Sequence, residues 1–296
     1  MHSTVCSMTN TMRYLNDWGL IRMTYREAYD EGRKRIVSDE ADIECAILLE
    51  FVMGTVRNDL FAHPERELSK EEEDKFFSLI ERRSSGEPVQ YITGKTFFYG
   101  LEFFCDPSVL IPRFDTEVLV EEIIKEAPKG AKLLDLCTGS GCIALSVKHE
   151  RNDLCVFASD ISKEALATAL KNKENLSLDV TFIESDMFEN ISDRFDMIVS
   201  NPPYIPREVV EGLDEKVKEY EPYNALCGGE DGLDFYRIIA GKAKGYLNKN
   251  ASLMMEIGFD QGESVSTLLG ENGYEDIKVI KDLNGLDRVV WAVLKG

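Results

Sequence analysis

The sequence predicts an α/β protein: a mostly parallel, Rossmann-like sheet of seven strands covered by helices on both faces, preceded by a small all-helical domain. Three observations lead there. From Lys132 onward, short apolar runs alternate with amphipathic stretches, the pattern of repeated strand–helix units. Before Gly86, apolar residues recur at helical spacing behind two capping boxes. Between these regions Gly86-Glu87-Pro88 breaks the helical period, and the residues after it alternate around glycines.

In the first region, Thr24-Tyr25-Arg26-Glu27 opens a helix that runs to about Val37. A second helix covers residues 40–53, with Ala41, Cys45, Leu48, Leu49 and Val52 on one stripe and Gly54 as its stop. A short helix over 55–61 ends before Pro64. Ser69-Lys70-Glu71-Glu72 caps a fourth that carries Phe76, Phe77, Leu79 and Ile80. Residues 23–86 therefore read as one helical domain, with residues 1–22 as a loosely attached extension.

Residues 87–106 read as a β-hairpin linker, with strands near 89–94 and 97–104. Flexible linkers are polar, so its aromatic residues imply packing, either as glue between domains or along a site. The last domain, 107–296, begins with Val109-Leu110-Ile111-Pro112-Arg113 and then Thr116, a cap for a helix through Ala127. Arg113 and Glu117 are charges among apolar residues, and either pair structurally or orient a substrate. Strands follow at 132–137, 154–159, 180–184, 195–200, 251–257, 276–281 and 288–294. Helices fit 141–149, 162–173, 234–245 and 260–270. No helix separates the last two strands, so the final one is expected to be antiparallel.

Composition narrows the class. The net charge is −20 over 296 residues. A duplex-DNA binder needs a basic stripe to neutralise phosphates, so direct DNA binding is not expected. No apolar run approaches the ~20 residues of a membrane span, and residues 1–22 lack the apolar core of a secretory signal. Seven cysteines, an odd number without framework spacing, read as reduced thiols in a cytoplasmic protein. The three histidines are scattered, and no metal site is expected.

Two stretches carry chemistry. Leu133-Leu134-Asp135-Leu136-Cys137-Thr138-Gly139-Ser140-Gly141 ends a strand and opens a helix. Its glycines admit a ligand close to the backbone and leave helix N–H groups facing it. It lacks the Lys-Ser/Thr of a P-loop, and Ala144 stands where a dinucleotide fingerprint has its third glycine. The next strand ends at Asp160, placed to accept from both ribose hydroxyls. The third ends at Ser185-Asp186-Met187-Phe188, where Asp186 can accept from an adenine amino group and Met187 can pack on the ring. Asp135 is expected near a cationic end of the ligand. Acids at three successive strand ends suit a ligand with ribose hydroxyls and positive charge and without pyrophosphate. S-adenosylmethionine has those features; NAD does not.

The second stretch, Asn201-Pro202-Pro203-Tyr204, leaves the apolar strand 195–200. The prolines stiffen the loop and remove two donors. Asn201 offers a side-chain acceptor beside the Pro202 carbonyl. Two adjacent acceptors suit one planar NH2 group, with Tyr204 available to stack on its face.

Together these motifs resemble class I amino-methyltransferases, and more closely the HemK/PrmC protein glutamine methyltransferases, which modify peptide chain release factors. The resemblance extends through Arg83-Ser84-Ser85-Gly86-Glu87-Pro88-Val89-Gln90-Tyr91-Ile92-Thr93-Gly94, Phe98-Tyr99-Gly100-Leu101-Glu102-Phe103, Ile111-Pro112-Arg113 with Thr116-Glu117, Tyr220-Glu221-Pro222 and Gly228-Gly229. Phe114 replaces the family's usual proline after Ile-Pro-Arg, and Cys137 stands where glycine is common. The resemblance implies transfer of a methyl group from S-adenosylmethionine to the glutamine of a Gly-Gly-Gln motif, leaving S-adenosylhomocysteine, by a monomer acting in translation termination. The helical domain would then recognise the substrate. Asn201 and Pro202 would hold the amide, Tyr204 and Pro203 would support it, Phe98 would exclude water, and Arg113 would contact the substrate. Asp135, Cys137, Thr138, Gly139, Ser140, Gly141, Asp160, Asp186, Met187 and Asn201 would surround the cofactor. Three rivals remain on the residues alone: a ribosomal-protein glutamine methyltransferase, an adenine-amino methyltransferase, and a non-catalytic translation-factor adaptor.

Overall fold

The computed structural model describes residues 22–213 and 220–295. The extension expected over residues 1–22 lies, apart from Arg22, outside the described residues. The chain divides into two compact units between Thr93 and Gly94.

The first unit is helical: α1 (Tyr25–Arg35), α2 (Ala41–Met53), α3 (Arg57–Ala62), α4 (Lys70–Ser84) and α5 (Val89–Thr93). Both capping boxes form, Thr24 with Glu27 and Ser69 with Glu72. Gly54 closes α2 at φ 60°, the left-handed conformation glycine adopts at little cost. Tyr25, Leu48, Leu49, Phe76 and Ile80 make a dry core. The expected strand near 89–94 is instead α5. Tyr91 N–H and Ile92 N–H donate to the Pro88 carbonyl at 3.0 and 3.1 Å, starting a helical turn where proline needs no donor. Val89 and Ile92 then join the helical core. The stretch expected to be one linker is thus shared between the two units.

The second unit begins with the hairpin, shifted to β1 (Lys95–Phe98) and β2 (Leu101–Phe104). Its two-residue turn, Tyr99-Gly100, has φ 50° and 74°, the paired positive values that match strand twist. Asn172, fully buried on α8 (Lys163–Leu176), fixes the hairpin. Its Oδ1 accepts from Phe104 N–H at 2.6 Å. Its Nδ2 donates to the carbonyls of Phe104 and Ser140, tying the hairpin to the glycine loop.

The remaining strands are β3 (Lys132–Leu136), β4 (Cys155–Asp160), β5 (Val180–Glu184), β6 (Phe195–Ser200), β7 (Leu247–Glu256), β8 (Glu275–Lys281) and β9 (Asp287–Leu294). They form one sheet in the order β5-β4-β3-β6-β7-β9-β8. The pairs from β5 to β7 are parallel, and β9 runs antiparallel to both neighbours, as expected from the missing helix. Side chains alternate between two cores. Leu133, Met197, Val199 and Met254 pack on α6 (Glu117–Glu126) and α7 (Cys142–Glu150). Leu134, Leu136, Ile198 and Met255 pack on the helices Asp234–Lys242 and Gly262–Glu271. The strand order reverses between β3 and β6, so the loops after both open into one crevice.

Because Asn172 is the partner of three backbone groups, one buried and two half-buried, Asn172→Ala is expected to cost about 2–4 kcal/mol, from stranded polar groups at ~1–3 kcal/mol each. Urea unfolding measures this; a loss below ~0.5 kcal/mol would contradict the assignment.

Candidate active site

A cavity of about 820 Å³ opens at the carboxyl ends of β3, β4, β5 and β6. Cys137, Thr138, Gly139, Ser140, Asp160, Asp186, Met187, Asn201, Pro203 and Arg113 line it, so the structure gathers residues predicted from distant parts of the chain. The loop after β3 is built from inside. Asp135 Oδ2 accepts from Thr138 Oγ1 at 2.6 Å, and Thr138 N–H donates to the Ser159 carbonyl. Gly139 and Gly141 take φ 54° and 79°. A Cβ on Gly141 would also press within 3.1–3.3 Å of Phe182, Leu145 and Ala169, so the loop can lie close only with glycine there. Cys137 holds φ 59° despite its Cβ. Its thiol, pushed up by burial, lies 3.9 Å from the Met187 sulfur and faces Ser200, so the side chain is accommodated within the cavity wall.

The acids occupy three different settings. Asp160 accepts from Gly139 N–H (2.8 Å) and Ser162 N–H (3.0 Å) while still facing the cavity, and burial raises its pKa. A carboxylate has about four acceptor positions, so it keeps capacity for a diol. Asp186 is exposed at the rim, beside Met187, which is buried at φ 47°. Asp135 does not line the cavity as expected. It is fully buried under the loop, and burial pushes its carboxyl up to about 7, with the Thr138 hydroxyl opposing.

The loop after β6 is held from behind. Gln261 Nε2 donates to the Tyr204 carbonyl at 3.0 Å, and Gln261 Oε1 accepts from Gly258 N–H. Ile205 N–H donates to Leu226 O and Gly228 N–H to Ile205 O, a short parallel bridge. A Cβ on Gly228 would stand 2.7 Å from both the Pro203 carbonyl and Tyr204 Cα, so the Gly-Gly segment is a bed for this loop. Asn201 Nδ2 donates to Thr116 Oγ1 at 3.2 Å. Among the described residues no donor bonds to Asn201 Oδ1 or to the Pro202 carbonyl.

Several expectations are corrected. Phe98 does not reach the cavity; it is buried in the sheet core, edge-to-face with Phe103 at 6.2 Å. Tyr204 is not in the cavity wall. Its ring packs on the core, and its hydroxyl, pushed up to about 12 by burial and by Glu256, turns toward that carboxylate. Thr116 makes no capping bond; it closes a 3-10 turn (Phe114–Thr116) that forms with phenylalanine in the proline position. Arg113 pairs with Glu221 at 2.6 Å, while Glu117 accepts from Tyr99 N–H at 2.7 Å. Sequence reasoning missed Gln261, Glu256 and Asn172, because a single buried polar residue leaves no periodic signal. Among the described residues no cluster could hold a metal ion, and no helix is long and apolar enough to cross a membrane.

A 3-2-1-4-5-7-6 sheet with a glycine loop after its first strand and Asn-Pro-Pro-Tyr after its fourth is the architecture of class I methyltransferases. Residues 27–94 match the family model for the PrmC N-terminal domain, and residues 113–213 that for the methyltransferase small domain. The release factor glutamine methyltransferase of Geobacter sulfurreducens is 44% identical over 85% of this chain and 89% of its own. That of Agrobacterium fabrum is 42% identical over 88% and 93%. A methyltransferase from Pyrococcus furiosus, 17% identical, superposes with a TM-score of 0.53 over 67% of this chain and 91% of its own, and so shares the fold. The chain belongs to the release factor glutamine methyltransferase family.

The elevated Asp135 carboxyl makes a pH prediction. Its folded value, about 7, lies above its ordinary 3.8. The native state therefore binds the extra proton, and its contribution is full below pH ~4 and lost as pH rises through ~7. Asp135→Asn should flatten the decline of stability between those limits, read by thermal melts across pH; a profile parallel to wild type would reject the buried carboxyl as its source.

Proposed function

We propose that this enzyme binds S-adenosylmethionine in the cavity and transfers its methyl group to the side-chain amide nitrogen of the glutamine in a release-factor Gly-Gly-Gln motif. The observation that carries the reading is the placement of Asn201 and the Pro202 carbonyl. Asn201 lines the cavity, Pro202 follows it directly in the chain, and both acceptors are free of donors among the described residues.

An amide nitrogen is a poor nucleophile because its lone pair is delocalised. Asn201 Oδ1 and the Pro202 carbonyl accept its two hydrogens. This aims the lone pair at the methyl group and favours pyramidalisation as the N–C bond forms and the S–C bond breaks. The nitrogen proton becomes acidic once the methyl is attached, so it can leave to solvent without a strong base. Such positioning supplies ~7–11 kcal/mol of a barrier. Asp160 would hold the ribose, Asp186 and Met187 the adenine, and Gly139 and Ser140 would face the methionine portion. Arg113, braced by Glu221 at the cavity wall, is left to contact the incoming backbone. Glycines flanking the target have no side chains to clash at a narrow entrance. The net charge of −20 opposes a nucleic-acid substrate.

Asn201→Ala is expected to lower kcat at least ~100-fold with cofactor affinity within about twofold of wild type; near-normal turnover would falsify the role. Asp160→Ala should weaken S-adenosylmethionine binding at least ~10-fold by calorimetry, the loss of about one charge-assisted hydrogen bond. Unchanged affinity would remove Asp160 from the ribose site.

A further inference from the structure

Behind Asn201 lies a buried polar cluster that the transfer step itself does not use. Register places Ser200 of β6 beside Met255 of β7, so Glu256 comes level with Asn201 on the neighbouring strand. Glu256 is 1% exposed, and Thr116 2%. Its Oε2 has no hydrogen-bond partner among the described residues, and the Thr116 and Tyr204 hydroxyls, Arg288 and Asp115 lie near enough to act on the carboxylate. Arg288, itself buried, pairs with Asp115 and Asp282 at 3.1 Å each. Tyr236 bonds to the Glu256 carbonyl, and Cys142 lies within its field. Glu256 does not line the cavity.

We propose that Glu256 and Thr116 are positioning residues that set which end of the Asn201 amide faces the substrate. This rests on the reading of Asn201 Oδ1 as the acceptor of the glutamine amide. Donor polarity decides the orientation. An ionised carboxylate only accepts, and the unpaired Glu256 Oε2 calls for the single hydrogen of the nearby Thr116 hydroxyl. Only lone pairs then remain for Asn201, which must present Nδ2, as it does at 3.2 Å. Oδ1 is thereby turned to the cavity. If Glu256 becomes a donor, by protonation or by change to glutamine, the chain reverses. Thr116 accepts from residue 256 and donates to Asn201 Oδ1, and the amide offers the substrate an N–H where an acceptor is required. Arg288 favours the ionised form against the burial that pushes Glu256 up to about 7.

The test combines three variants in full-length enzyme, with methyl transfer to a purified release factor and cofactor affinity by calorimetry. Thr116→Val should lower kcat ~100-fold with S-adenosylmethionine affinity unchanged, and Thr116→Ser, which keeps the hydroxyl, should restore it to within a few-fold. Glu256→Gln should lose a similar factor. In wild type, kcat should fall on the acid side of about pH 7 as Glu256 takes up its proton; in Glu256→Gln this limb should vanish, whereas one due to Asp135 would persist. Wild-type kcat in Thr116→Val, a Thr116→Ser as impaired as the valine variant, or a Glu256→Gln with wild-type rate and pH profile each overturns the proposal. If Thr116→Val fails to bind cofactor because it misfolds, Glu256→Gln and its pH profile decide alone. An Asn201→Ala that still turns over sinks the underlying reading, whereas an inactive Asn201→Ala beside a fully active Thr116→Val sinks only the relay.

Discussion

The backbone leaving β6 must be held still while two of its acceptors stay unpaired, and much of the second unit serves that constraint. Buried acceptors without partners are costly, so a loop that exposes them would collapse onto any available donor. Here the prolines remove local donors, and Gln261 takes the Tyr204 carbonyl. The Gly228 bed and the Ile205 bridge fix the exit path. Among the described residues neither Asn201 Oδ1 nor the Pro202 carbonyl finds a donor, which is what the proposed amide site requires. Sheet topology supplies the rest: reversal between β3 and β6 brings the glycine loop and the Asn-Pro-Pro-Tyr loop to one crevice.

Electrostatics in this crevice divides between wall and foundation. Asp160 and Asp186 face the cavity and suit a ligand with hydroxyls, an amino group and a sulfonium charge. Asp135 and Glu256 lie beneath it, each pushed up to about 7 by burial. Asp135 orients Thr138 through a hydrogen bond, and Glu256 is proposed to orient Thr116. A carboxylate three residues from its threonine and one 140 residues from its threonine would thus perform the same local task, fixing a hydroxyl's direction.

Much of this was legible in the sequence where a repeating or contiguous pattern encodes it. The seven strands, the antiparallel last strand, the capping-box helices and the glycine loop all follow from periodicity or fixed offsets. The hairpin was misplaced by several residues because Val89-Gln90-Tyr91-Ile92 has a strand-like composition, yet Pro88 starts a helix and the helical core takes Val89 and Ile92. Phe98 belongs to the core and not to the cavity, and alternation along a short strand does not say which face is buried. Asn172, Gln261 and Glu256 were invisible, since each acts by meeting groups far away in the chain. Asp135 was placed on the right loop but on the wrong side of it.

The most direct measurement is transfer of an isotopically labelled methyl group from S-adenosylmethionine to a purified release factor, followed by mass mapping of the modified residue. The account predicts one methyl per chain, on the side-chain nitrogen of the Gly-Gly-Gln glutamine, and none on a factor whose glutamine is replaced by alanine. Label on any other residue, or on nucleic acid in preference to the protein, would contradict it.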